Sequence, residues 1–123
     1  MQLSILLMEP NPWLQTRLQD SLSEVPFIGS VFLANSFAEG FQLLRERNPD
    51  ILILDSSLTN YLGLELLSKK MRPKFLREII VLTNNVQDYY KEYCHKLGIH
   101  YILDKSFEIE LLPNVIEQIG QLK

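Results

Sequence analysis

The run Ile51-Leu52-Ile53-Leu54 is apolar without alternation and stops abruptly at Asp55. Such a run is too short for a helix, and an extended strand can bury all of it only when both of its faces are covered, as in the interior of a parallel sheet packed between helices. This one segment therefore asks for helices above and below a sheet, and the rest of the chain has the elements to supply them.

Leu3 to Met8 is a second buried-type strand, broken only by Ser4 and stopped by Glu9-Pro10-Asn11-Pro12. Asn11 can cap a following helix whose first position suits Pro12, and Leu14, Leu18 and Leu22 line one face of it. A strand within Phe27 to Leu33 leads to a helix opened by Ser36, which with Glu39 makes a capping box; Phe37, Phe41 and Leu44 turn inward and Asn48-Pro49 ends it. After Asp55 a polar loop reaches Gly63, and Leu64, Leu66 and Leu67 begin a short helix that Arg72-Pro73 terminates. Ile79 to Leu82 is another buried strand, ended by Thr83; Asn84 or Asn85 can cap a helix carrying Val86, Tyr90, Tyr93 and Leu97 and closed by Gly98. Tyr101 to Leu103 is the fifth strand, ended by Asp104-Lys105, and a last helix starting near Pro113 carries Val115, Ile116 and Ile119.

Strands and helices alternating at this spacing need right-handed crossovers, so the expected fold is α/β: an open, doubly wound parallel sheet with helices on both faces. Ligands of such sheets bind beyond the C-terminal strand ends, the edge at which Glu9, Asp55, Thr83 and Lys105 all fall. With 123 residues, 46 % of them hydrophobic, residues 1–123 are expected to form one domain. Fifteen acidic against twelve basic residues give a formal charge of -3, no general field for a nucleic-acid backbone, so direct nucleic-acid binding is not expected. No run could span a bilayer and Met1 to Met8 carries no cationic stretch before an apolar one, so a cytoplasmic location without membrane attachment is expected. Cys94, the single cysteine, falls in a helical pattern and is expected to be a packed thiol.

Carboxylates on adjacent strand ends can hold a hard divalent cation, and Asp55 could also present an oxygen to an electrophilic phosphorus. Lys105 could pair with that carboxylate and then with a phosphoryl oxygen, while the Thr83 hydroxyl donates to another. The alternative is that Asp55 and Lys105 only cap strand ends in solvated loops.

The chain resembles, over essentially its whole length, the receiver domains of bacterial two-component response regulators. The resemblance is carried by Ile5-Leu6-Leu7-Met8-Glu9 and the turn after it, Pro49-Asp50-Ile51-Leu52-Ile53-Leu54-Asp55 with Gly63-Leu64-Glu65-Leu66-Leu67 beyond, Ile79-Ile80-Val81-Leu82-Thr83, and Leu97-Gly98 followed by Lys105-Ser106. It implies five strands in the order 2-1-3-4-5. It also implies that Asp55 accepts a phosphoryl group from a histidine kinase or phosphotransfer protein, as in a phosphorelay, and that the phosphoprotein switches an interaction surface. Thr83 becomes the hydroxyl that turns toward the phosphoryl group and Lys105 its lysine contact. A magnesium ion would be held by Glu9, Asp55 and the carbonyl of Ser57.

The chain also departs from that pattern. Pro10 stands where the family carries its second acidic residue and offers neither carboxylate nor amide donor, so weak magnesium binding is expected. Thr59 replaces a customary proline, Asn84 is larger than the small residue usual after the threonine, and Ile102 replaces the aromatic side chain associated with the switch. Tyr101, beside it, points to the opposite face of the sheet. The rival reading is a degenerate receiver that pairs with partners without phosphorylation. Catalysis, on either reading, goes no further than self-phosphorylation and loss of the aspartyl phosphate.

Tyr89, Tyr93 and Tyr101 are expected to form an aromatic surface for an effector or for a second copy of the chain. Lys69, Lys70, Arg72, Lys74 and Arg77 form a basic run read as a solvated face, and His95 and His100 as surface histidines. Trp13 falls beside the proposed pocket, where it could shield the pocket or meet a neighbour.

Overall fold

β1 (Leu3–Met8), β2 (Ile28–Ala34), β3 (Ile51–Asp55), β4 (Glu78–Thr83) and β5 (Tyr101–Asp104) form one sheet in the order β2-β1-β3-β4-β5, every neighbouring pair parallel. This is the expected topology, in a computed structural model that describes residues 2–85 and 87–121. The helices are α1 (Pro12–Leu22), α2 (Phe37–Arg47), α3 (Tyr61–Glu65), α4 (Asp88–Lys96) and α5 (Leu112–Gln121).

Strand periodicity divides the core in two. Leu3, Ile5 and Leu7 of β1, Ile51 and Ile53 of β3, and Ile80 and Leu82 of β4 pack with Leu18 and Leu22 of α1 and Ile116 and Ile119 of α5. Leu6, Met8, Leu52, Leu54, Ile79 and Val81 face the other way, against Leu44 of α2, Leu64 of α3, and Tyr90 and Cys94 of α4. Every residue of β3 is buried, as its unbroken apolar run required. Burying each such aliphatic side chain stabilises the fold by about 1.5–3 kcal/mol before the entropy of ordering it is counted.

Several local expectations are corrected. Asn11 caps α1 by accepting from the Trp13 and Leu14 amides, with Pro12 at the first position, as expected. At α2 the Ser36 hydroxyl accepts from the Glu39 amide, but the Glu39 carboxylate reaches past Ser36 to the Asn35 N–H at 2.8 Å, so the box is widened by one residue. α3 starts at Tyr61, ahead of Gly63, because Asn60 caps it through the Gly63 amide at 2.8 Å. It runs on into a wide turn over Leu66–Lys70, closed by an i→i+5 bond from the Met71 amide to the Leu66 carbonyl.

α4 is capped by neither Asn84 nor Asn85. It begins at Asp88, and the Asn85 side chain instead accepts from the Gln87 amide at 3.2 Å; Val86, expected within this helix, lies outside the described residues. At its far end Gly98 takes φ +83°, and the Ile99 and Gly98 amides return to the Cys94 and His95 carbonyls, the bond pair that a left-handed glycine allows. α5 starts at Leu112, after a single 3-10 turn over Ile109–Leu111. Among the described residues no helix is long and apolar enough to cross a membrane.

Candidate functional site

Register alone brings the site together. Met8 pairs with Leu54, Asp55 with Leu82, and Thr83 with Asp104, so the residues that follow β1 and β5, Glu9 and Lys105, come level with the end of β3. Strand parity then sorts the four. Glu9, Asp55 and Lys105 continue the rows of Leu7, Ile53 and Leu103, which face α1 and α5, whereas Thr83 continues the row of Ile79 and Val81, which faces α4.

Glu9, Asp55 and Thr83 are all buried at the edge of the sheet. The Lys105 ammonium bonds Asp55 Oδ2 directly and lies 3.2 Å from Glu9 Oε1. Asp55 Oδ1 accepts from the Ser57 amide at 2.8 Å, and Glu9 Oε2 from the Asn11 amide at 3.0 Å. Glu9 Oε1 has the lysine charge nearby but no aligned hydrogen-bond donor among the described residues.

The two buried carboxyls are driven apart in acidity. Burial works to raise Asp55, but Lys105, the Ser57 amide and hydroxyl, and Glu9 together outweigh it and hold this carboxyl below its ordinary value. Burial also raises Glu9, and there the neighbouring charge of Asp55 adds to it, while the Asn11 amide and Lys105 only partly oppose, so Glu9 ends above its ordinary value. Burial disfavours the lysine charge, yet the two carboxylates more than compensate and Lys105 is raised. Of the two, Asp55 is the stronger acid, and its carboxylate faces a cation.

The loop carrying Lys105 is itself fixed: Asp104 Oδ1 accepts from the Ser106 amide at 2.8 Å, the Asp104 amide donates to Glu108 at 2.9 Å, and the Lys105 amide donates to the Thr83 carbonyl at 2.9 Å. Gln15 fixes the other loop, donating to the Glu9 and Ala34 carbonyls and to Asn35. Neither Gln15 nor Glu108 figures in the sequence reading; the signal that could have pointed to part of this scaffold is the Asp104-Lys105-Ser106 spacing, which suits an Asx turn.

Thr83 meets Ser56 and Asn85, away from Lys105: its Oγ1 accepts from the Ser56 hydroxyl and the Asn85 amide, each at 2.9 Å. Ser57 is exposed, and Pro10 is exposed at the mouth of the site without adding a ligand atom from its side chain. Among the described residues no three His, Cys, Asp or Glu side chains converge as a metal site. Two carboxylates and the Ser57 carbonyl remain as hard oxygen donors, and the under-bonded Glu9 Oε1 is an atom that a hard cation would satisfy.

An aromatic cluster stands beside the site. The Tyr61 and Tyr93 rings meet edge to face at 4.8 Å and 74°, Tyr61 and Tyr90 tilt together at 6.1 Å, and the Tyr93 hydroxyl donates to the Tyr61 carbonyl at 3.1 Å. Of the expected tyrosines Tyr93 is in this cluster and Tyr89 is exposed, whereas Tyr101 packs into the α1–α5 core on the opposite face. Ile102 faces the α4 side, so the parity expected for this pair holds. Trp13 is 77 % exposed and lines a shallow depression with Thr16, Arg17 and Asp20. Cys94 is a buried thiol, pushed up in pKa by burial, and the exposed His100 pairs with Glu78 at 3.5 Å. In the basic run Arg72 donates to the Leu76 and Arg77 carbonyls, and Arg77 to that of Ile119.

The chain is 28 % identical over 117 residues to the sensory transduction protein LytT of Enterococcus faecalis, covering 95 % of this chain and 48 % of that protein. To the nitrate/nitrite response regulator protein NarL of Escherichia coli it is 29 % identical over 117 residues, covering 94 % of this chain and 53 % of that one. It thus spans about half the length of these curated relatives. Its fold matches the isolated REC domain of RcsB from Salmonella enterica serovar Typhimurium, solved in the presence of phosphomimetic BeF3-, with a TM-score of 0.88 at 19 % identity, covering 100 % of this chain and 91 % of that one. The response regulator domain of Thermotoga maritima CheB gives 0.78 at 17 % identity, covering 98 % and 96 %. Residues 5–117 match the response regulator receiver domain, and the chain belongs to that family.

Proposed function

We propose that this receiver domain takes a phosphoryl group on Asp55 from a phosphohistidine of a kinase or phosphotransfer protein and thereby changes a protein-binding surface. The observation that carries the reading is that Asp55 ends the buried strand β3 with one carboxylate oxygen fixed by the Ser57 amide and the other against the Lys105 ammonium. Lys105 helps to hold that carboxyl below its ordinary value, so it stands as the nucleophilic oxyanion of the site. An Asp55 oxygen forms the new bond to phosphorus as the phosphorus–nitrogen bond breaks, and the histidine nitrogen leaves with the electron pair. Lys105 then follows the charge from the carboxylate to a phosphoryl oxygen, and Thr83 turns to donate to another.

Glu9, Asp55 and the Ser57 carbonyl are the groups that would hold magnesium, which when bound offsets negative charge on the nucleophile and on the phosphoryl group. Pro10 makes that ion weakly held. Intact mass after incubation with magnesium and acetyl or carbamoyl phosphate tests the reading. One added phosphoryl group that is absent in Asp55→Asn is expected, and no addition to the wild type would overturn it.

Pro10 favours a second reading, a receiver that engages its partner unphosphorylated. On either reading the exposed aromatic face around Tyr89, Tyr93 and Tyr61 is the contact surface, for an effector or a second copy. Equal partner affinity for wild type and Asp55→Asn under phosphorylating conditions would select the second.

A further inference from the structure

The sheet ladder ends one residue short of the lysine on which the site depends. Thr83 pairs with Asp104, the last residue of β5, so Lys105 stands beyond the register that fixes the strands. Its backbone keeps a tie to the sheet through its own amide, which donates to the Thr83 carbonyl at 2.9 Å. A lysine side chain is long and flexible, so an ammonium shared between two buried carboxylates stays aimed only if the backbone that carries it is held.

The turn after β5 supplies that hold, and the partners of its amides show how. The Phe107 and Glu108 amides donate to the Asp104 carbonyl at 3.3 and 2.8 Å, and the Ser106 amide donates to Asp104 Oδ1 at 2.8 Å. The Asp104 amide in turn donates to Glu108 Oε1 at 2.9 Å. Glu108 immediately precedes the 3-10 turn over Ile109–Leu111, the place from which a side-chain oxygen ordinarily bonds the free amides ahead of it. Its carboxylate makes no such bond and turns back to β5 instead. Asp104 and Glu108 therefore clamp each other across Lys105, the amide of each accepted by the other.

We propose that Glu108 is a positioning residue for Lys105: by accepting from the Asp104 amide it closes the turn that aims the lysine ammonium at Asp55. This rests on the phosphoacceptor reading of Asp55 and adds what keeps Lys105 in line while charge passes from the carboxylate to a phosphoryl oxygen. Without that acceptor the Asp104 amide is freed, the turn opens, and the ammonium leaves its line to Asp55. A misplacement of about 1 Å is enough to slow such a step by as much as about a hundredfold.

The test uses the full chain, with phosphoryl uptake from acetyl phosphate and magnesium timed by intact mass, and with ¹³C- and ¹⁵N-labelled lysine followed by NMR. Glu108→Ala is expected to slow uptake by about tenfold or more, whereas Glu108→Gln, whose side-chain oxygen still accepts from the Asp104 amide, stays near wild type. On a Lys105→Met background Glu108→Ala is expected to change uptake no further, because its effect runs through the lysine. In the free protein the wild type and Glu108→Gln are expected to show two separate ε-methylene proton signals for Lys105, the mark of a held side chain, and Glu108→Ala a single averaged one. Equal uptake in wild type and Glu108→Ala, slowing shared by Glu108→Gln, slowing that persists in Lys105→Met, or Lys105 signals indifferent to Glu108→Ala overturns the assignment. Where Lys105→Met is too slow to time, the lysine signals decide. Failure of the wild type to take up a phosphoryl group overturns the phosphoacceptor reading instead, and the same free-protein signals then decide the placement of Lys105 by themselves.

Discussion

β3 has an aspartate just before its first residue and another as its last, and the two are held in opposite ways. Asp50 is bound by fixed neutral donors: its carboxylate accepts from the Ser4 amide at 2.8 Å and hydroxyl at 3.3 Å. Its own amide donates to the Ser4 carbonyl and its carbonyl accepts from Arg77, so backbone and side chain together stitch β1, β3 and β4 at their starts. Asp55 has one fixed donor, the Ser57 amide; its other oxygen faces a lysine that a second buried carboxylate also claims. A carboxylate saturated by rigid dipoles is a structural pin, whereas one balanced by a shared, movable cation keeps an oxygen that can change partners.

The largest blow to this contrast comes from Lys105→Met. Removing the cation strands two buried carboxyls, and urea denaturation at neutral pH should show a loss of about 3 kcal/mol. A loss below about 1 kcal/mol, the scale of an exposed ion pair, would mean that solvent already screens the cluster. Asp50→Ala should follow, lowering stability by about 2 kcal/mol because it leaves the Ser4 amide unpaired. Phosphoryl uptake on Asp55 by the surviving fold should be unaffected; impaired uptake would erase the distinction between the two ends.

Glu9→Gln reverses the sign. The folded-state pKa of Glu9 is raised, so its contribution is fully present below the ordinary carboxyl range and is lost as pH rises through the raised value. At neutral pH the charge is a burden, and the glutamine variant should melt higher than wild type there but not in acid. Asp55 behaves oppositely: its pKa is lowered, so its stabilisation is present above the ordinary range and disappears as acid titrates the folded state. Melts across pH for wild type, Glu9→Gln and Asp55→Asn check both signs. Smallest is Pro10→Asp, expected to lose about 0.4–1 kcal/mol without metal through the freed unfolded chain. It should regain that in magnesium, with tighter magnesium binding and faster phosphorylation than wild type. Equal metal affinity would mean that Glu9 and the backbone already complete the site.

What could be read from the sequence follows the range of the interactions. β3 and β4 announced themselves because burial on both faces leaves no polar positions, and Asp55, Thr83 and Lys105 because a polar residue ending such a run must sit at an edge. The Tyr101–Ile102 split was legible from period two alone. The sequence starts α3 late because Gly63 reads as a breaker. In the fold that glycine lies inside the helix, where a Cβ would come within 1.8 Å of Thr59 Oγ1, a contact set by how the Asn60 cap folds the loop back. Asn85 has the chemistry of a cap for α4, but its amide is drawn to Thr83 and its side chain to the Gln87 amide. Tyr61 and Ser56 carried no local signal: their partners lie 32 and 27 residues away, and only the meeting of α3, α4 and β4 gives them a role.

The wide turn at Leu66–Lys70 also bears on how this chain lines up with others. It accommodates one residue beyond a regular α-helical course, with the Ser68 hydroxyl bonded back to the Leu64 carbonyl at 2.7 Å inside it. In an ungapped pairing with a chain whose third helix is regular, every position from there to Pro73 is displaced by one, a rotation of about 100° around the helix that sets exposed side chains against buried ones. Removing a single residue from this turn restores the regular course. Here, rather than in α1 or α2, a one-residue deletion is an edit that the helix can absorb.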